Sequence, residues 1–175
     1  TFDGWSMLAA MAKVTSRIRI GMLDEACDVI RRLWTQDSVT HQGRFWTLTD
    51  ALANPKPVQE RIPIVIGGTG ERKTLRVVAR RADEWNFSPI KDLGPEGPPE
   101  FVRLSGVLDD HCAAIGRNPT DIRRSIQLML RPDHHDQIAT SLRLLEEFAG
   151  AGAEHAILGF ATPPSRSLLE SLASA

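Results

Sequence analysis

Ile64-Val65-Ile66-Gly67-Gly68-Thr69-Gly70-Glu71-Arg72-Lys73-Thr74 is the stretch on which the reading of this chain turns. Residues 62–66 form a continuous apolar run, as buried parallel strands do. The run ends in glycines, and a helical pattern over residues 71–81 starts at once. Glycines let backbone N–H groups approach a ligand without interference from a Cβ. A helix N-terminus adds unpaired N–H donors and a partial positive charge. Together these features suit a phosphate. Thr69 adds a hydroxyl, and Arg72 or Lys73 a full charge. Two nucleotide fingerprints compete for the same residues. The dinucleotide pattern fails because Lys73 stands where its third glycine belongs, after Gly68 and Gly70. The P-loop pattern has Gly67 and Lys73-Thr74 at the right spacing, but Arg72 fills its second glycine position. Two readings remain level: a phosphate-tail site at the C-terminal rim of a barrel, and a turn that only reverses the chain.

On both sides of this turn, strand and helix alternate. Upstream, residues 4–14 read as a helix with Asp3 as its N-cap, and residues 17–21 as a short strand. A helix over residues 22–36 follows with no loop between. A strand running straight into a helix is unusual, and it suggests a segment missing between Gly21 and Met22. Residues 39–48 predict a β-hairpin turning at Gln42-Gly43, with Phe45 and Trp46 on opposite faces. Asn54-Pro55-Lys56-Pro57 is an extended linker. Downstream, strands are predicted over residues 84–87, 125–130 and 155–160. Helices are predicted over residues 100–115, 138–149 and 165–172, with a loop over residues 88–99. The pattern is an α/β fold with a parallel sheet. Five strands in this rhythm fall short of a closed eight-unit barrel.

Composition narrows the function classes. The chain has 175 residues, 42% hydrophobic and 25% charged, with a formal net charge of −1. No basic surplus points to nucleic acid. The longest apolar runs fall far below the roughly 18 residues of a membrane span. No secretory leader opens the chain, which begins at Thr1. Cys27 and Cys112 lie in helical patterns without CxxC spacing, which fits buried thiols in a reducing cytoplasm.

Other residue groups carry weaker signals. Asp133-His134-His135-Asp136 follows a strand, as mouth residues of a barrel do. Adjacent histidines do not converge on one ion unless the loop wraps it. A solvated loop with Asp136 capping the next helix is therefore favoured, with Arg131 or His134 as substrate contacts the lesser reading. No metal is expected. His41 and His111 read as surface residues, and His155 as structural. Trp34 and Trp85 read as core, while Trp46 lies in an insertion that could cover the mouth.

The chain resembles the luciferase-like monooxygenase family. The residues that carry the likeness run from Asp3-Gly4-Trp5 through Thr15-Ser16-Arg17-Ile18-Arg19-Ile20-Gly21 and Leu23-Asp24-Glu25-Ala26 to Arg31-Arg32-Leu33-Trp34-Thr35. They continue through Gly43-Arg44-Phe45 and Pro55-Lys56-Pro57-Val58-Gln59 to Ile64–Gly68, Glu71-Arg72 and Ala82-Asp83-Glu84-Trp85-Asn86. The likeness is nearest to the coenzyme F420 branch. It implies a (β/α)8 TIM-barrel fold, here incomplete with about five of eight strands, and a β-hairpin insertion. By this alignment the chain is a single partial barrel domain over residues 1–175, lacking segments before Thr1 and between Gly21 and Met22. The resemblance implies an oxidoreductase using F420 or FMN for hydride transfer or monooxygenation of a small organic substrate. Gly67, Gly68, Thr69, Gly70, Glu71 and Arg72 would hold the cofactor phosphate. Asn86 would face the same mouth, and Trp46, Arg131 and His134 would be substrate contacts. No catalytic acid or base is assigned. Small-molecule substrate and a second copy in a homodimer are the partners it allows. The alternative is a non-catalytic barrel remnant that binds a phosphate ligand or serves as an interaction module.

Overall fold

A computed structural model describes residues 20–88, 94–130, 135–160, 162–166 and 169–170. The expected helix over residues 4–14, its Asp3 cap, and most of the strand over residues 17–21 lie outside the described residues. Ile20 and Gly21 do not continue that strand. They open helix α1, Ile20–Thr35, so the helix reaches back across the Gly21–Met22 junction. The ring of Phe45 packs where a Cβ on Gly21 would sit, at 2.8 Å.

Strands β1 (Val39–Gln42) and β2 (Thr47–Ala51) form an antiparallel hairpin. The turn is longer than the expected Gln42-Gly43 reversal. Gly43 N–H donates to the Trp46 carbonyl at 2.9 Å, so Phe45 and Trp46 belong to the turn rather than to a strand. The cause is Glu25 on α1. Its carboxylate accepts from the backbone N–H groups of Arg44, Phe45 and Trp46 and from His41 Nε2 at 3.1 Å. His41 Nδ1 in turn accepts from Arg32 at 3.2 Å. His41 is thus half-buried in a bridge between helix and hairpin, not a surface residue. Burial works to raise the Glu25 pKa, but the donors from His41, Trp46, Phe45 and Arg44 outweigh it and hold it below the ordinary glutamate value.

The linker carries a cis Asn54–Pro55 bond. Four parallel strands follow in the order β3 (Val65–Gly67), β4 (Glu84–Phe87), β5 (Arg123–Leu130) and β6 (His155–Phe160). Helices α2 (Thr74–Arg81), α3 (Gly97–Ala113) and α4 (His135–Gly150) connect them. Among the described residues the sheet is open, with β3 and β6 at its edges. β3 starts later than the apolar run predicts. Asp83 N–H and Glu84 N–H both donate to the Ile64 carbonyl, ahead of the regular ladder. The loop expected over residues 88–99 ends early. A 3₁₀ turn, Gly94–Glu96, leads into α3, and Pro98-Pro99 sit in its first turn, where a missing N–H costs nothing. Helix α4 begins at His135, so Asp136 lies inside its first turn rather than at a cap.

Side-chain alternation divides the sheet into two faces. Ile64, Ile66, Trp85, Phe87 and Ile126 face the helices and pack with Leu75, Phe101, Leu104 and Leu108. Trp85 stacks on Phe101 with ring centroids 5.6 Å apart, and Phe87 meets Phe101 edge-on at the same distance. Trp34 packs against this core, and Cys27 and Cys112 are buried in it. Burial pushes the Cys27 thiol pKa up to about 11, so it stays a protonated core residue. The other face carries Val65, Gly67, Glu84, Asn86, Arg123, Ser125, Gln127, Met129, His155 and Ile157, as the strand registers require. No helix covers that face among the described residues.

Candidate functional site

The glycine turn leaves the C-terminal end of β3 in register with Asn86, through the pair Gly67↔Asn86. Gly68 has φ +128°, a conformation that L side chains rarely adopt, so glycine is required there. Its N–H continues the ladder by donating to the Asn86 carbonyl at 3.1 Å. A Cβ on Gly70 would lie 2.8 Å from Thr74 Oγ1, so the turn also closes tightly on the start of α2. The expected helix over residues 71–81 begins instead at Thr74, because Glu71, Arg72 and Lys73 form a turn. Lys73, at the N-cap position, caps nothing with its side chain.

Three carbonyls of this turn, those of Gly68, Gly70 and Glu71, are tied back to the protein. Trp85 Nε1 donates to the Gly68 carbonyl at 2.8 Å. Leu75 N–H and Lys73 N–H donate to the Gly70 carbonyl at 3.0 and 3.4 Å. His111 Nε2 lies 2.8 Å from the Glu71 carbonyl and must be its donor, since a carbonyl only accepts. In a trans peptide the C=O and the following N–H point in opposite directions. The N–H groups of Thr69, Glu71 and Arg72 are therefore turned away from those three clamps. None of them has a backbone acceptor among the described residues. The result is a turn with three of its carbonyls occupied and the N–H groups that follow them directed away from those contacts, beside the exposed side chains of Arg72 and Lys73.

Not every predicted residue sits where a ligand would reach it. The Glu71 carboxylate pairs with Arg103 of α3 at 2.8 Å and does not stand free over the turn. Asn86 is buried and donates to Ser125 Oγ at 3.1 Å, on the sheet face it shares with Gly67. Trp46 is 43% exposed, its indole N–H donating to the Met22 carbonyl at 3.4 Å. Arg131 and His134 lie outside the described residues. His111, expected at the surface, is half-buried against the turn because α3 packs alongside α2. Neither His111 nor Arg103 could be found from sequence: they lie 40 and 32 positions from Glu71.

The same face holds a second polar group. Glu84 is buried, accepts from Arg123 at 2.6 Å, and accepts from His155 Nδ1 at 2.9 Å. Burial works to raise its pKa, but the bonds from Ser125, His155 and Arg123 hold it below the ordinary glutamate range. His155 thus has the structural contact its position suggested. Among the described residues no cluster of histidine, cysteine and carboxylates has metal-binding geometry, and no helix is long and apolar enough to cross a membrane.

A family model for luciferase-like monooxygenases matches residues 21–167. The chain belongs to this family. Two curated relatives show its range. The F420-dependent glucose-6-phosphate dehydrogenase of Microbacterium testaceum is 31% identical over 118 residues, covering 66% of this chain and 33% of that one. The FMNH2-dependent dimethylsulfone monooxygenase of Pseudomonas putida is 27% identical over 141 residues, covering 80% and 38%. Among solved structures, an F420-dependent secondary alcohol dehydrogenase in complex with an F420–acetone adduct superposes with a TM-score of 0.63. It shares 18% identity and covers 86% of this chain and 60% of that one. That likeness is one of fold: the four-stranded sheet and its helices are part of a TIM barrel that is not closed among the described residues. The chain spans about a third of the length of the curated relatives it matches. The family contains flavin- and deazaflavin-dependent oxidoreductases and monooxygenases.

Proposed function

We propose that this chain contributes the phosphate-binding part of an F420- or FMN-dependent oxidoreductase acting on a small organic substrate. One observation carries the reading. In the turn after β3 the Gly68, Gly70 and Glu71 carbonyls are held by Trp85, Leu75 and His111, which turns the N–H groups of Thr69, Glu71 and Arg72 the other way. Such a set of donors at a helix N-terminus fits a phosphate monoester or diester tail. The exposed Arg72 and Lys73 supply positive charge on the same turn. FMN ends in such a monoester and F420 carries such a diester within its tail, so the residues present fit the group that the relatives' names imply.

In this reading Gly67, Gly68, Thr69 and Gly70 shape the cradle, and Arg72 sets the charge beside it. Glu71 acts through its backbone N–H, while its carboxylate braces the turn against α3. Asn86 supports the cradle from the next strand through its ladder carbonyl. The bound flavin or deazaflavin would supply the redox chemistry, accepting or donating hydride, and the protein would position it and exclude water. Trp46, Arg131 and His134 remain proposed substrate contacts. No general acid or base is assigned among these residues.

The test compares FMN with riboflavin, which differ only by the phosphate, in titrations followed by flavin fluorescence. The expected result is clear preference for FMN, lost in Gly68→Val, whose side chain the local φ disfavours. Equal affinity for the two flavins would remove the phosphate reading and leave a non-catalytic barrel unit as the better account.

A further inference from the structure

We infer that His111 on α3 is a positioning residue for the anion cradle: it aims the Arg72 amide by holding the carbonyl of Glu71. This inference rests on the phosphate reading above and adds a residue to it. His111 and Glu71 are far apart in sequence and meet only because α3 packs beside α2. The 2.8 Å contact fixes which imidazole nitrogen carries the proton: Nε2–H donates to the Glu71 carbonyl. The peptide joining Glu71 to Arg72 is planar, so fixing its oxygen fixes the direction of the Arg72 N–H.

The clamp has a second point of purchase on the same residue. Arg103, two helical turns before His111, pairs with the Glu71 carboxylate at 2.8 Å and with Glu100 at 2.7 Å. Side chain and carbonyl of Glu71 are thus both held by α3, which opposes rotation of its peptide. The other two clamps differ in kind. Trp85 is a core residue with its ring stacked on Phe101, and Leu75 and Lys73 act through the backbone. His111 is the clamp that a side-chain substitution can remove without opening the core. A bare turn would have to order this peptide at the moment of binding; a clamped one is already oriented, and preorganisation of this kind raises affinity.

The experiment measures FMN and riboflavin binding by the full chain and by His111→Phe and His111→Gln. Glutamine retains an N–H donor at the end of its side chain; phenylalanine keeps the ring and loses the donor. The inference expects His111→Phe to weaken FMN roughly tenfold, the scale of one hydrogen bond to a charged group. Riboflavin affinity should not move, and His111→Gln should recover most of the loss. A parallel measurement titrates inorganic phosphate against the 15N-labelled chain. The Arg72 amide resonance should shift in the wild type and in His111→Gln, and stay put in His111→Phe. Preference for FMN that persists unchanged in a folded His111→Phe would overturn the role of His111 and leave the phosphate reading intact. Equal loss of both flavins would mark His111 as a packing residue only and would also overturn it. A wild-type chain that does not distinguish the two flavins would overturn the phosphate reading first, and this inference with it.

Discussion

The two faces of the parallel sheet are built to different standards. Towards the helices, Trp85, Phe87, Phe101, Leu104 and Leu108 are all at most 1% exposed and interlock as aromatic and aliphatic layers. Towards the other side, Val65 is 50% exposed, Met129 57% and Ile157 37%. The strands are the same; only what lies against them differs. In a TIM barrel the helix-facing side packs locally, within each β/α unit. The inner side is filled by layers of side chains from alternate strands around the ring. Four strands complete the first kind of packing and not the second. The comparison explains how four strands retain a well-formed core on one face while the other, among the described residues, keeps Val65, Met129 and Ile157 exposed beside the buried polar group of Glu84, Asn86 and Ser125, with the glycine turn at the rim between them.

If that contrast is right, truncating the helix-facing side should cost far more than changing the inner one. Phe101→Ala removes a ring in contact with Trp85, Phe87 and Phe148. It should lower unfolding free energy by about 3–5 kcal/mol, read as a lower urea midpoint at unchanged slope. A loss below about 1 kcal/mol would show that the aromatic layer is not the core.

An intermediate effect should come from the one buried carboxylate of the inner face. Glu84 has a folded pKa below its unfolded value of about 4.3. Its stabilising share is complete above that value and disappears as pH falls through the folded pKa. Arg123 and His155 are half-exposed, so solvent screening keeps the share on the order of 1 kcal/mol. Glu84→Gln should therefore lower stability at neutral pH and flatten the stability curve below about pH 4. A variant with the wild-type acid slope would assign that slope to other carboxylates, Asp83 foremost. Asp83 is held below the ordinary aspartate range, against the cost of burial, by the Ile64 N–H, Arg31 and Arg61.

The smallest effect is expected where the inner face is most open. Met129→Lys should change unfolding free energy by no more than about 0.5 kcal/mol. It could also raise solubility, since it places a charge on an exposed apolar patch. A large loss in thermal unfolding would mean that something in solution covers this face.

Most elements follow their local sequence pattern, and those that depart from it do so for one physical reason. Strands Glu84–Phe87 and His155–Phe160 have the boundaries their apolar patterns predict. The glycine turn sits between strand and helix as its composition demands. The errors occur where a distant group takes over the backbone. Asp83 and Glu84 capture the Ile64 carbonyl and delay β3. Glu25 gathers three hairpin amides and lengthens the turn that Gln42-Gly43 would have closed. Sequence alone leaves His41 and His111 at the surface, because their partners, Glu25 and Glu71, lie 16 and 40 positions away.

Local chemistry by itself determined the alternation of strands and helices, the parallel sheet that alternation requires, and a glycine turn at the junction of strand and helix. These follow from periodicity and from the conformational freedom of glycine, which are properties of neighbouring residues. Only the tertiary structure decided which way the turn's peptides face. That direction depends on donors from β4, α2 and α3 meeting three carbonyls, and contacts between elements leave no periodic trace in the chain that encodes them.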